Sequence, residues 1–336
     1  MTDTVVGATT EAADTGTTGA AAGAAAGMTS PGHATKPPTA AARPSGAARE
    51  DLEASTGSST ALLRTIVGAV LRPIGGWMSA SGAVELLAAL DIPASTARSS
   101  LARLCARGVL QREARGDVAG YAIDPAAIPM LERGDARIFR PVDAGDTTTS
   151  STPWCLVSFS LPERQRARRH QLRRRLSALG CGTVADGLWI APAGLEAELE
   201  DTIGELGLRE QAVLFTSAVA LGDLASALPR WYDLATIRAA CDGFLAHHAH
   251  PLVDAADAVT GRDAFARWVR ALDEYRVIPY LDPGLPTTAL PADWPAPAAA
   301  ATFGELRARL EPVAVAYAAA VATAQPPRAD EHRASR

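Results

Sequence analysis

Between Asp91 and Gly108 the chain reads DIPASTARSSLARLCARG, and its polar side chains suit holding a polyanion rather than making or breaking bonds. Ser95, Thr96, Arg98, Ser99 and Arg103 offer hydroxyls and guanidinium groups to phosphate oxygens, and Arg can also read guanine edges. Ala97, Leu101 and Leu104 recur at helical spacing, which predicts an apolar inner face behind that polar outer one. Pro93 suits a first turn, and Gly108 suits the position just after the last. Arg107, Arg112 and Arg115 carry positive charge onward from the helix end. The plainer reading of this stretch is an amphipathic surface helix without a partner.

A second basic group lies on a predicted helix holding Arg164, Arg166, Arg168, Arg169, Arg173, Arg174 and Arg175. Two readings stand side by side. Arg164, Arg168, Arg169 and Arg173 form a second phosphate or effector surface, or they are the solvated face of a helix whose Leu172, Leu176 and Leu179 pack on a sheet. Tyr275 and Arg276 are further effector candidates. With Asp273, Glu274 and His247 they also allow an acid–base arrangement, against the simpler reading of a helix-surface salt-bridge patch. His247, His248 and His250 lack carboxylate or thiol partners at fixed spacing, so a solvated helix terminus is expected there and no metal. Cys105, Cys155, Cys181 and Cys241 stand far apart with no CxxC pair, predicting free thiols and a reducing cytoplasm. There is no GxSxG elbow, GxxxxGK[ST] loop or HExxH helix, so catalysis is not expected.

The elements that must position these residues follow from pattern. A length of 336 residues suggests two or three domains, and the 48% hydrophobic content supplies a core. The net charge of −5 argues against a uniformly basic coat but leaves room for a local basic face. Residues 1–57 are mostly Ala, Thr, Gly, Ser and Pro and predict a disordered tail. Across 60–140 come helix ALLRTIVGAVLRP, turn IGGWMSA, helix AVELLAALDI capped by Ser79 or Ser81, the Asp91–Gly108 helix, and hairpin VLQREARGDVAGYAID. That order predicts a winged helix-turn-helix, with its third helix in the major groove and its hairpin against the backbone or minor groove. After the polar linker PVDAGDTTTSSTP, residues 154–220 alternate as βαββαβ, a ferredoxin-like split βαβ unit with a hairpin at Asp186-Gly187. Residues 231–324 predict a helical domain interrupted by LDPGLPTTALPADWPAP, and residues 325–336 a frayed tail. The fold class is therefore α+β. No apolar run suffices for a membrane span, and the first residues lack the pattern of a secretory signal.

Three stretches together, RPIGGWMSASGAVELLAALDIPASTARSSLARLCARGVLQRE, WCLVSFSLPERQRARRHQLRRRLSALGCGTVADGLWIAP and DEYRVIPYLDPGLPTTALPADWP, resemble the PaaX family of bacterial transcriptional repressors. The resemblance spans about Leu62 to Tyr317 and omits the N-terminal tail. It implies a winged helix-turn-helix reader of double-stranded operator DNA, a middle Cas2-like domain and a helical C-terminal domain. It also implies a homodimer that represses a catabolic operon, of the phenylacetate type. The implied effector is phenylacetyl-CoA or another acyl-CoA, expected between the middle and C-terminal domains. In Cas2-like nucleases the first strand ends on a metal-binding Asp, whereas the matching run here is Phe159-Ser160-Leu161-Pro162. A neutral hydroxyl is a poor Mg²⁺ ligand, which disfavours the alternative of a metal-dependent nucleic-acid-processing enzyme. The other alternative is an interaction scaffold whose winged helix binds no DNA.

Overall fold

The computed structural model describes residues 55–140, 153–249 and 260–323. Residues 1–54 of the expected tail, the linker at 141–152, His250 and the C-terminal tail lie outside the described residues.

Helix α1 (Ser59–Thr65) opens where the Ser58 hydroxyl accepts the Ala61 N–H, and it passes directly into a π-helical turn at Ile66–Leu71. Gly75 and Gly76, at φ +98° and +71°, then reverse the chain. The segment expected to be wholly a turn holds a strand, β1 (Trp77–Ser79), in register with β3 through Trp77 opposite Ala122. The reason is local. Gly120 on β3 leaves the room that Trp77 and the backbone of Met78 occupy, since a Cβ there would sit 2.4 Å from the Met78 carbonyl oxygen. Ser79 caps α2 (Ala80–Ala88) by accepting the Gly82 N–H at 2.9 Å. Helix α3 (Ala94–Ala106) and strands β2 (Leu110–Arg115) and β3 (Val118–Ile123) follow, in a sheet ordered β1-β3-β2. A further helix that sequence reading did not define, α4 (Ile128–Ile138), closes this part and buries Met130, Leu131 and Arg137.

The middle part runs β4 (Pro153–Phe159), α5 (Arg166–Ala178), β5 (Gly182–Ala185), β6 (Leu188–Pro192), α6 (Glu196–Glu205) and β7 (Ala212–Val219). Its antiparallel order β5-β6-β4-β7 is the split βαβ topology. Alternation along β4 sends Cys155, Val157 and Phe159 to the helices, where Leu172, Leu176, Leu199 and Ile203 meet them. Trp154 joins the other core with Ile190 and Tyr232, whose hydroxyl donates to the Ile190 carbonyl at 2.9 Å. Burial pushes the thiols of Cys155, Cys181 and Cys241 up to about 12, so these cysteines stay protonated packing residues.

The last part is helical: α7 (Leu224–Trp231), α8 (Leu234–His248), α9 (Gly261–Tyr275), α10 (Ile278–Leu281) and α11 (Ala296–Ala322). Phe265, Trp268 and Val269 on α9 are fully buried, each contributing roughly 1.5–3 kcal/mol. Tyr275 stacks on Phe303 of α11 with ring centroids 3.8 Å apart. The expected salt-bridge patch is not on the surface. Asp273 is 0% exposed and Arg276 9%, and the carboxylate accepts hydrogen bonds from Gly57 N, Thr65 Oγ1 and Arg276 Nε. The cause is the return of α1 over α9, which supplies a buried carboxylate with the donors it requires. The His pair is likewise more than a solvated terminus, because His247 Nδ1 and His248 Nε2 lie 3.0 and 3.1 Å from Glu274 Oε2.

Candidate nucleic-acid interface

Helix α3 is two-faced. Ala97, Ser100, Leu101 and Leu104 are buried, while Ser95, Thr96, Arg98, Ser99 and Arg103 are exposed on its outer side. Ser100 was not legible as a contact, yet its hydroxyl lies 2.9 Å from that of Ser59 and ties α3 to the start of α1. The neighbouring pair repeats the link, with Arg103 Nη1 donating to Thr60 Oγ1 at 3.3 Å. Arg103 is thus steered along the helix shoulder, whereas Arg98 makes no hydrogen bond or ion pair among the described residues and extends into solvent. Ser99 Oγ donates to the Ser95 carbonyl at 3.1 Å, keeping that part of the outer surface shallow.

The helix ends in a Schellman arrangement. Gly108, at φ +68°, donates to the Cys105 carbonyl, and Val109 N donates to that of Leu104 at 3.0 Å. This sets the angle at which β2 leaves the helix. Arg107, Arg112 and Arg115 are exposed after the turn. Arg115 and Val118 pair across the two-residue loop Gly116-Asp117, where φ +58° at Gly116 alone gives a type II′ hairpin turn. Arg115 Nε donates to Glu113 Oε1 at 3.0 Å, and its guanidinium lies 4.9 Å above the Trp77 ring. Trp77 Nε1 in turn donates to the Glu113 carbonyl, so β1 buttresses the hairpin tip.

The turn between α2 and α3 is held from outside. Asp91 there has φ +62°, its carboxylate accepts from Arg270 at 2.7 Å, and the Ala88 carbonyl accepts from Arg262 at 2.9 Å. Both arginines lie on α9. These links between distant stretches carry no local sequence signal.

The arginines of α5 are mostly engaged within the middle part. Arg168 Nη2 donates to the Leu206 carbonyl at the end of α6, Arg169 pairs with Glu163, Arg173 with Asp186 and Arg175 with Glu205. Arg164 and Arg166 are exposed. The helix is therefore largely neutralised by its own neighbours, as the packing reading expected. Tyr275, at 6% exposure, belongs to the aromatic core, and Arg276 faces an internal cavity. Ser160 sits exposed just beyond β4, where its N–H donates to the Gln211 carbonyl. Its neutral hydroxyl does not suit a divalent-cation site. Among the described residues no group of three or more His, Cys, Asp or Glu is placed to hold a metal ion.

Family comparison matches all three parts in chain order: a PaaX-like protein model over residues 58–125, the PaaX protein central Cas2-like domain over 148–228, and the PaaX-like protein C-terminal domain over 232–320. The chain belongs to the PaaX family. Among curated proteins it is similar to the transcriptional repressor PaaX of Escherichia coli (strain K12), with 24% identity over 269 residues, 77% of this chain and 83% of that one. Among solved structures it is similar to the uncharacterized protein Rv0674 from Mycobacterium tuberculosis. That likeness has a TM-score of 0.50 at 22% identity and covers 78% of this chain and 98% of that one, which speaks to the fold alone. PaaX family membership accounts for the mixed α+β class, the Cas2-like middle and the helical C-terminal part.

Proposed function

We propose that the chain is a DNA-binding transcriptional repressor rather than an enzyme, with residues 59–123 acting as a winged helix-turn-helix. The observation that carries this reading is the division of α3, whose Ala97, Ser100, Leu101 and Leu104 are buried while Ser95, Thr96, Arg98, Ser99 and Arg103 are exposed. A helix so divided fits the major groove, and a basic hairpin following it fits the adjacent backbone. Family membership and the repressor among its relatives support the same reading. In it, Arg98 and Arg103 approach base edges or phosphates from α3, and Arg107, Arg112 and Arg115 hold the backbone. The outer face carries few long side chains, so phosphate contacts and the spacing of two copies in a homodimer supply much of the affinity. A small-molecule effector, an acyl-CoA or related metabolite of a catabolic pathway, shifts the dimer toward a conformer with mismatched half-site spacing.

The test is a gel-shift titration of the full chain against the region upstream of its own gene. Arg98→Ala with Arg103→Ala is expected to weaken binding at least tenfold and to relax sequence preference. If affinity and preference both survive unchanged, α3 is not the reading element.

A further inference from the structure

Two adjoining cavities lie between the helices of the first and last parts. The inner one, about 80 Å³, is lined by Arg64, Met130, Leu131, Ile138 and Arg276 among others. The outer one, about 330 Å³, is bounded by Arg72, Arg307 and Glu311. Gly68, Ala69, Asp135 and Phe139 belong to both, so the two are chambers of one cleft. The outer chamber alone reaches the lower end of the size range of small-molecule pockets.

The lining has a definite chemistry. Four guanidinium groups, on Arg64, Arg72, Arg276 and Arg307, face two carboxylates, on Asp135 and Glu311. Arg72 Nη2 donates to Asp135 Oδ2 at 2.7 Å, but Arg72 Nη1 is buried with no hydrogen-bond partner among the described residues. A buried cationic donor left in that state is unfavourable unless something supplies an acceptor. Phe139, Met130, Leu131 and Ile138 add an apolar wall beside it, and Arg307 lies 4.2 Å from the Phe139 ring centroid. The wall facing them is the π-helical turn Ile66–Leu71, a feature frequent at functional sites. It presents Gly68, where an added Cβ would meet nothing closer than Leu131 Cδ2 at 3.6 Å.

We propose that this cleft binds a compact organic anion, its carboxylate received by Arg72 and its apolar body lying on Phe139, Leu131 and Ile138. The cleft also has a route to α3. Helix α9 contributes Leu272 and the adjoining Arg276 to the inner chamber, and the same helix holds the α2–α3 turn through Arg262 and Arg270. A ligand gripped between the π turn and α9 therefore bears on the element that precedes α3. This consequence for DNA rests on the repressor reading; binding in the cleft does not.

The experiment is calorimetric titration of the full chain with sodium benzoate and sodium hexanoate, with sodium sulfate as a plain anion. Organic-acid binding is expected, weakened at least tenfold by Arg72→Gln and abolished by Gly68→Leu, while Gly68→Ala binds as the parent does. Diffraction from crystals soaked in 4-iodobenzoate should place the iodine inside the cleft. Absence of binding by both acids, equal binding of sulfate, or affinities unmoved by Gly68→Leu in a folded protein would each overturn the proposal. A gel shift at saturating benzoate separates the two ideas. Cleft binding without any change in DNA affinity leaves the site standing and removes only its regulatory consequence. A chain that binds no DNA removes the repressor reading, while calorimetry still decides the site.

Discussion

Arg137 Nη2 donates to the carbonyl of Leu179 at 2.6 Å, joining α4 of the first part to the end of α5 in the middle part. The same side chain donates through Nε and Nη2 to the Pro279 carbonyl and through Nη1 to Glu198, and its guanidinium lies 4.7 Å from the Tyr280 ring centroid. One buried fork thus connects all three parts of the chain. Burial pulls its pKa down, with Glu198 acting the other way. Arg137→Ala is expected to cost roughly 3 kcal/mol, since it strands two carbonyls and a half-buried carboxylate. Arg137→Lys should recover only part, because an ammonium lacks the planar fork. Urea unfolding measures both, and a loss within about 0.5 kcal/mol for the alanine variant would refute the role.

Gly120 is required by the close approach of β1. In Gly120→Ala the new methyl meets the Met78 carbonyl and the Trp77 ring, the latter at 2.6 Å. A loss of about 1–3 kcal/mol is expected, together with altered Trp77 fluorescence and weaker DNA binding as the hairpin loses its support. A variant that melts with the parent would show that β1 can give way.

Arg115 has to exchange its bond with Glu113 for one with phosphate. Arg115→Ala should weaken binding across all DNA sequences and reduce the slope of log affinity against log salt by about 1. Glu113→Gln, which frees the guanidinium, should tighten binding. An unaltered salt slope in the alanine variant counts against a phosphate contact at the hairpin tip.

Glu274 supplies a pH dependence. Burial acts upward on its carboxyl, but hydrogen bonds from His248 and His247 and their charges outweigh it and hold the group below the usual carboxylate range. A folded-state pKa that is lowered contributes stability above the unfolded value, near 4.3, and loses it as pH falls through the folded one. The stability gap between the parent and Glu274→Gln should therefore narrow as pH drops from about 5 to about 3, by less than about 1 kcal/mol given the group's exposure. Chemical unfolding at stepped pH follows this, and a gap that stays constant would exclude the linkage.

The middle part was legible almost residue for residue, because its apolar period switches cleanly between 2 and 3.6 and Asp186-Gly187 marks the hairpin. The inner face of α3 was legible for the same reason. Strand β1 was not, since three residues beside two glycines read as a turn until Gly120, some forty positions on, is known to lie opposite. Asp273 was misread as superficial because its donors, Gly57 and Thr65, come from the far end of the chain. The hold of Arg262 and Arg270 on the α2–α3 turn was equally silent in sequence. Local pattern specifies elements, whereas the partners of a charged side chain are decided by how those elements come together.

The π-helical turn at Ile66–Leu71 also acts as a phase setter. It fits more residues into a turn than an α-helix does, so it fixes the azimuth at which Arg72 leaves the helix. Deleting one residue there would let the segment relax toward ordinary α geometry and rotate everything after it by about 100° relative to α1. Arg72 would swing off Asp135, and Trp77 would reach the sheet out of step with Gly120. Chain length in this short segment is therefore under tighter constraint than side-chain identity, and relatives should tolerate substitutions there more readily than a gain or loss of a single position.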